Sequence, residues 1–436
     1  MIILGIETSC DETALALLET RGHGAPAGRR IECRVISSLV HSQADLHSPY
    51  GGVFPSLAKR EHGKNLVPLL HKLLTEAERE EALKSTTSAR PSRRVSFSPT
   101  HGNRHSDIER ASAPKASSEP LPVPLEDILE QFRAEVAPQN PELFESFAAA
   151  DFLKDAPPMI DKIAVTEGPG LEPTLWVGIN FARMLAALWK APIVPVDHME
   201  GHIVGSLLAP EAMDGAWHGL HEAPMPAVAL LISGGHTELV EVRKIGDYKV
   251  IGKTRDDAVG EAFDKAARLI GLPYPGGPHI EELSQLARAE NLEPPVKLPR
   301  PMVNSGNLDF SFSGLKTAVL YAVRAAPKDR GGVLSDEWKK GLAREFEQAV
   351  VETLEAKLRS AVEKTGARSI IVGGGVSANR SLQENFKKIA AENGIPLFLP
   401  TQHVSGDNAL MIALAGAMHD ETRAPGKIRA HGTKSL

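Results

Sequence analysis

The sequence is short of cysteine, of aromatic residues and of long apolar runs. Its 436 residues hold two cysteines, Cys10 and Cys33, in no metal or redox spacing. A disulfide framework is therefore not expected, and a reducing, cytoplasmic setting fits. No stretch reaches the ~18 uninterrupted apolar residues of a membrane-spanning helix, so no membrane partner is expected. The opening MIILGIETSCDE has neither the basic start nor the length of a signal peptide. Positive charge is not in excess: the net charge is −6, which argues against a basic coat for nucleic acid but leaves room for a local patch. The pattern GxxxxGK[ST] is missing, which excludes a P-loop enzyme. What is present is 42% hydrophobic residues over a length that suits two or three domains.

Two segments repeat a plan. IILGIETSCDETALALLE reads as strand, turn, strand, and PAVALLISGGHTELVEV reads the same way. DKIAVTEGPGLEPTLWVGINFARMLAAL reads as strand, glycine loop and helix, and RSIIVGGGVSANRSLQENFKKIA repeats that order. The pattern predicts two α/β lobes, 1–196 and 197–436, with ligands held at strand ends against glycine loops and helix N-termini. An insertion of about 80–158 interrupts the first lobe. Within it, 84–124 is rich in Ser, Pro and Arg and lacks apolar periodicity, which predicts disorder. Its basic residues are open to nucleic-acid contact or to plain solvation. Residues 125–152 show helical spacing for two helices, and the basic tail RAPGKIRAHGTKSL is expected to fray.

VPVDHMEGHIVGSLL places His198 and His202 four apart. On a helix they lie ~40° apart on one face and can share a cation. A zinc peptidase of the HExxH type needs its general-base Glu beside the first His. Met199 fills that slot, and Glu200 lies near 200° round the helix, facing away. Such a His pair is more often structural than metal-binding, so a third ligand decides. Asp407 in QHVSGDNALMIALAG is the candidate, with His403 a weaker rival. The competing role for Asp407 is an N-cap, which Asp fills well. Two imidazoles and one carboxylate would leave coordination positions open on Fe(II) or Zn(II).

LLISGGHTELV sets Ser233, Gly234 and Gly235 directly after a buried strand, where backbone N–H groups can approach phosphate or carboxylate oxygens. A tight hairpin would use the same residues. IIVGGGVSANRSL adds a second glycine run and Asn379, either a helix cap or a hydrogen-bonding hand for a ribose. TRDDAVGEAFDKAARLIGLPYPGGP adds Asp264 on a helix and a turn at Gly276 and Gly277. Asp264 beside Lys265 reads equally as a solvated pair.

Taken in order, IETSCDET, YGGVFPSLAKREH, GPGLEPTLWVGINFA, DHMEGH, LLISGGHTELV, GEAFDKAARLIGLPYPGGP, FSFSGLKTAV and GGGVSANR resemble the bacterial tRNA N6-adenosine threonylcarbamoyltransferases, the catalytic subunits of tRNA threonylcarbamoyladenosine synthesis. The resemblance runs from Ile2 to about His419, broken by the insertion. It implies a two-lobed actin-like fold, shared with sugar kinases and Hsp70-type ATPases. It implies an acyltransferase that moves a threonylcarbamoyl group from L-threonylcarbamoyladenylate to N6 of adenosine 37, releasing AMP, in tRNAs that read codons beginning with A. It implies metal ligands at His198, His202 and Asp407, with Fe(II) expected and Zn(II) the alternative. Substrate-binding positions fall on Leu231, Ile232, Ser233, Gly234, Gly235, Asp264, Gly277 and Asn379. The acidic pair falls on Asp11 and Glu12, candidates for a general base or for organising a phosphate or cation. Implied partners are tRNA, a smaller paralogous subunit in a heterodimer and a separate ATPase subunit, in the bacterial cytoplasm. The chain departs from the pattern in its insertion and at Gly406, where a polar residue is expected. Three rivals stay open: an actin-like ATPase or small-molecule kinase, in which the His pair has no place; a scaffold subunit, which should lack the metal trio; and the metallopeptidase, weakened by Glu200.

Overall fold

The computed structural model describes residues 1–21, 31–87, 123–155, 159–209, 216–327 and 334–436. Two sheets carry the fold. The first contains β1 (Ile2–Glu7), β2 (Glu12–Arg21), β3 (Glu32–Ser42), β4 (Lys162–Gly168), β5 (Ile193–Asp197) and β6 (His218–Gly219). Its strand order is β5-β4-β1-β2-β3-β6. The second contains β7 (Ala227–Ile232), β8 (Thr237–Lys244), β9 (Asp247–Lys253), β10 (Ser369–Gly373) and β11 (Leu397–Phe398), in the order β11-β10-β7-β8-β9. The repeat read from the sequence is thus a repeat of topology. In each sheet the first strand pairs antiparallel with the next and parallel with a later one, and that later strand pairs parallel with the one after it across a connecting helix. These helices are Glu172–Trp189 and Arg380–Asn393.

Alternation along the strands sorts side chains to two faces. Leu4 and Ile6 of β1 join a core with the helices Pro55–Thr87 and Glu172–Trp189, while Ile3 joins a different core with the helix Ala409–Met418. In β7, Val228, Leu230 and Ile232 face the helices Val259–Leu269 and Asp336–Thr365, whereas Ala227, Ala229 and Leu231 face Met199, Ile203 and Leu207. Both faces are covered, which is why these strands read as unbroken apolar runs. The helix His198–Gly205 therefore lies between the two sheets, and its Val204 packs with Ala409–Met418 on the first. A chemically loaded helix is held from both sides by apolar cores.

Two expectations need correction and a third is extended. The stretch expected to be disordered from Lys84 is helical to Thr87, because EREEALK consists of good helix formers; 88–122 lies outside the described residues. The two helices expected over 125–152 are Leu125–Val136 and Pro141–Ala148, and they belong to the core. Their Ile128, Phe132, Leu143 and Phe147 are buried in the first sheet's outer core with Leu66, Leu70 and Phe181. The tail is docked rather than frayed: Lys434 and Arg423 reach the buried Glu167 at 2.7 and 2.8 Å, and Ile428 is fully buried in the same core. Two cations on one buried carboxylate hold the tail where composition alone predicts fraying. The closing helix and the tail thus pack on the first sheet, although they follow the second in the chain.

Candidate metal centre

The peptide His198–Gly205 is helical, as the His spacing required, and the side chain of Asp197 caps it by accepting the N–H groups of Met199 and Glu200 at 2.9 and 3.3 Å. His198 and His202 stand edge to face with ring centroids 4.7 Å apart. Asp407 Oδ1 lies 3.4 Å from His198 Nε2 and 3.2 Å from His202 Nε2. Ligand atoms of the three residues fall within 4.8 Å of one another. The capping alternative for Asp407 fails: Asn408 is the cap of Ala409–Met418, accepting Met411 N–H at 2.9 Å. Asp407, one residue earlier, is left to face the imidazoles. His403 is exposed on the helix Gln402–Ser405 and takes no part.

Glu7, the last residue of β1, completes the arrangement. Its Oε2 lies 3.1 Å from His198 Nδ1 and accepts the Thr166 hydroxyl at 2.6 Å, and its Oε1 accepts Ser9 N–H at 2.5 Å. A carboxylate on Nδ1 fixes the tautomer and turns Nε2 toward Asp407. Sequence reasoning missed Glu7; its only signal was an acid closing a wholly apolar strand. Burial alone would push His198 down, but Asp407 and Glu7 outweigh it and hold the imidazole well above its usual range. Burial would raise Asp407, yet the two histidines keep it well below the usual carboxylate range. His202 is lowered, chiefly by burial. It is 2% exposed, and neither ring nitrogen makes a hydrogen bond among the described residues; the approach to Asp407 is close but not aligned as one. A buried imidazole without a partner is costly. A divalent cation shared with His198 and Asp407 relieves that cost, so the residues fit a metal.

Glu200 faces the other way, accepting the Tyr248 hydroxyl at 2.7 Å and pairing with His419 at 2.7 Å. It is spoken for and turned from the trio, which removes the peptidase geometry.

Around the trio, Leu231 and Ile232 are fully buried core side chains, so only their backbone can serve a ligand. Ser233 is nearly buried, while Gly234 and Gly235 are exposed with open space at each Cβ position. His236 closes this turn and is lowered to about 4, first by burial and then by His198. The strand before the turn and the His pair meet at Gly373, where a Cβ would sit 3.0 Å from the His202 carbonyl oxygen and 3.1 Å from Leu231 Cδ2. Asp264 does not pair with Lys265, whose partners are Asp257 and Glu261. It instead accepts Gly276 N–H at 2.7 Å and is raised to about 6, mainly by burial, with Asp11 adding to it. Gly277 follows at the start of the helix Gly276–Ala289. Asn379 is the cap of Arg380–Asn393, accepting Leu382 N–H at 3.0 Å and donating to Glu347 at 2.7 Å. Its amide is engaged at both ends, so the capping alternative is the one realised here. Asp11 is 6% exposed, with the Tyr274 hydroxyl 3.5 Å away. Burial, and then Asp11, push Glu12 well above the usual range.

This geometry meets independent likeness. A family model described as tRNA N6-adenosine threonylcarbamoyltransferase matches residues 34–83 and 145–414, leaving a gap narrower than the expected insertion. The protein of that name from Neisseria gonorrhoeae is 36% identical over 432 residues, covering 96% of this chain and 94% of its own. The one from Paraburkholderia xenovorans is 37% identical over 418 residues, covering 96% and 92%. Among solved structures, an activator of a 2-hydroxyisocaproyl-CoA dehydratase from Clostridium difficile covers 96% of this chain and 93% of that one at 12% identity, with a TM-score of 0.38, too low to bear on the fold. The identity and coverage of the curated relatives leave one assignment: the chain belongs to the tRNA N6-adenosine threonylcarbamoyltransferase family.

Proposed function

We propose that this chain catalyses the reaction its family is named for. It transfers the threonylcarbamoyl group of L-threonylcarbamoyladenylate to N6 of adenosine 37 in tRNAs that read codons beginning with A. What supports this is a His198–His202–Asp407 trio with both histidines buried, braced by Glu7, lying beside an open Ser-Gly-Gly turn in a chain of this family. The two sheets are taken as the lobes of an actin-like, sugar-kinase and Hsp70-type fold, parted near 196/197, with the closing helix and tail returning to the first lobe.

In this reading His198, His202 and Asp407 hold one divalent cation, Fe(II) or alternatively Zn(II), which supplies a Lewis acid and a template. The backbone of 231–235 offers N–H groups to the anionic part of the adenylate. Asp264, Gly277 and Asn379 border its adenosine. The N6 amine attacks the carbamoyl carbon, the bond from that carbon to the phosphate oxygen breaks, and AMP leaves with the electron pair. The amine proton passes to a carboxylate, for which Asp11 and Glu12 are the candidates. A smaller paralogous subunit and a separate ATPase subunit complete the expected assembly, in the bacterial cytoplasm.

The test is incubation of the purified chain, with these partners, with threonylcarbamoyladenylate and unmodified tRNA whose anticodon ends in U, read by mass spectrometry of the nucleosides. Modified adenosine is expected, lost on chelation and reduced by more than about 10²-fold in Asp407→Ala. No product with every component supplied would overturn the assignment in favour of an actin-like ATPase or a scaffold subunit.

A further inference from the structure

The mechanism uses the inner wall of the site and leaves its rim unexplained. Two large side chains stand exposed here, Tyr50 at 60% and Phe54 at 51%. Exposed apolar rings in contact with each other mark a contact surface. Tyr50 and Phe54 stack on each other, ring centroids 5.6 Å apart and planes 23° from parallel. Their loop meets the second half of the chain: a Cβ on Gly51 would lie 3.1 Å from the Arg268 guanidinium. Between loop and helix opens a cleft of about 290 Å³, lined by Tyr50, Gly51, Asp264, Arg268, Pro273 and Tyr274. That volume is near the lower bound of small-molecule sites and holds a nucleobase or nucleoside. The cleft leads inward, because Tyr274 reaches Asp11 with its hydroxyl and Asp264 reaches Gly276. Arg268 is exposed and has no ion-pair partner among the described residues.

We propose that this rim is where the acceptor RNA docks: a base of the anticodon loop next to the target adenosine stacks on Tyr50, and Arg268 meets a loop phosphate. The proposal rests on the function argued above. The chemistry selects the occupant. A target adenosine can reach a buried centre only from a single-stranded loop whose bases are splayed apart. Such bases are held by exposed aromatic rings, with cationic groups tracking the backbone. An exposed Tyr–Phe pair beside an unpaired Arg, on the mouth of a cleft that runs toward Asp11, supplies both parts. A protein partner would explain the apolar residues but not the unpaired guanidinium or the cleft.

The test uses the full-length chain and an anticodon stem-loop RNA carrying 2-aminopurine beside the target adenosine. Stacking quenches the fluorophore, so binding and stacking are read together. Tyr50→Ala is expected to abolish the quenching and weaken RNA binding by about 10-fold, and Tyr50→Phe to restore both. Arg268→Gln should weaken binding and lower the slope of log affinity against log salt by about 1. The KM for tRNA should rise while that for threonylcarbamoyladenylate moves less than twofold. Equal RNA binding by Tyr50→Ala and wild type, with wild type still modifying tRNA, would overturn the rim and leave the assigned function standing. Loss of a partner subunit with RNA binding intact would also overturn it, by making the patch a protein surface. A wild type that neither binds nor modifies RNA would overturn both.

Discussion

The turn between β1 and β2 and the turn between β7 and β8 hold the same place in two sheets that share the order of five strands, yet their chemistry is opposite. The first is packed and acidic. Thr8, Ser9 and Asp11 are nearly buried, with Glu7 before them and Glu12 after. The second is open and uncharged, with Gly234 and Gly235 exposed. A repeated scaffold thus offers one turn that attracts cations and protons and one whose N–H groups suit an anion. The proposed reaction needs both, since it joins an amine that loses a proton to a phosphate-bearing donor.

The largest expected effect comes from disturbing what stands behind the acidic turn. A Cβ on Gly5 would lie 2.2 Å from the Ala409 carbonyl oxygen and 3.0 Å from Ala413 Cβ. Gly5 is what lets the helix that follows Asp407 press against β1. Gly5→Ala should therefore cost roughly 3 kcal/mol in urea unfolding and weaken metal binding in the molecules that remain folded. An unchanged unfolding midpoint would mean that the helix yields freely.

Glu7→Gln probes the charge of the same turn while keeping its shape. His198 keeps a hydrogen-bonding neighbour but loses the anion that orients and polarises it. Metal affinity, measured by competition with a chromophoric chelator, should fall about 10- to 100-fold. Unchanged affinity would reduce Glu7 to a packing residue. The reciprocal experiment gives the second turn the character of the first. Nothing lies within 4 Å of a Cβ on Gly234, so Gly234→Asp adds charge without a clash. The KM for the adenylate should rise by about 10-fold, with the melting temperature unmoved. An unaltered KM would remove this turn from the donor site.

What the sequence made legible was local. The strand–turn–strand and strand–loop–helix segments, the helix under the His pair and the outward direction of Glu200 all follow from periodicities within about twenty residues. What it hid was long-range. Lys434 finds Glu167 across 267 positions, and no pattern announces that pairing, so docking looked like fraying. Asp407 and Asn408 are neighbours with equal credentials as caps; the backbone path decides that Asn408 caps and Asp407 faces the two histidines. The burial of the inserted helices was hidden for the same reason, since their partners Leu66 and Phe181 lie on other elements.

The smallest effect concerns how each turn is braced, and it separates the two by pH. Val259 N–H donates to the Thr237 hydroxyl at 2.8 Å behind the second turn, a contact that does not titrate in the ordinary range. Behind the first turn stands His62, fully buried, with Nδ1 2.7 Å from the Thr13 hydroxyl and Nε2 3.0 Å from the Cys10 carbonyl oxygen. The carbonyl can only accept, so Nε2 carries the proton and Nδ1 accepts from Thr13. Burial, the leading cause, lowers His62 to about 4, against nearby carboxylates that pull the other way. A histidine lowered in the folded state is neutral there, while the unfolded chain takes up a proton as pH falls through about 6.5. The stability it contributes is complete above that value and drains away between about 6.5 and 4. Between pH 7.5 and 5.5 wild type should lose about 1 kcal/mol more than His62→Gln, whose amide can still donate to Cys10 and accept from Thr13. Parallel urea-unfolding curves for the two proteins across that range would show that His62 is not the group that titrates, and the acidic turn would then owe its pH response to its own carboxylates.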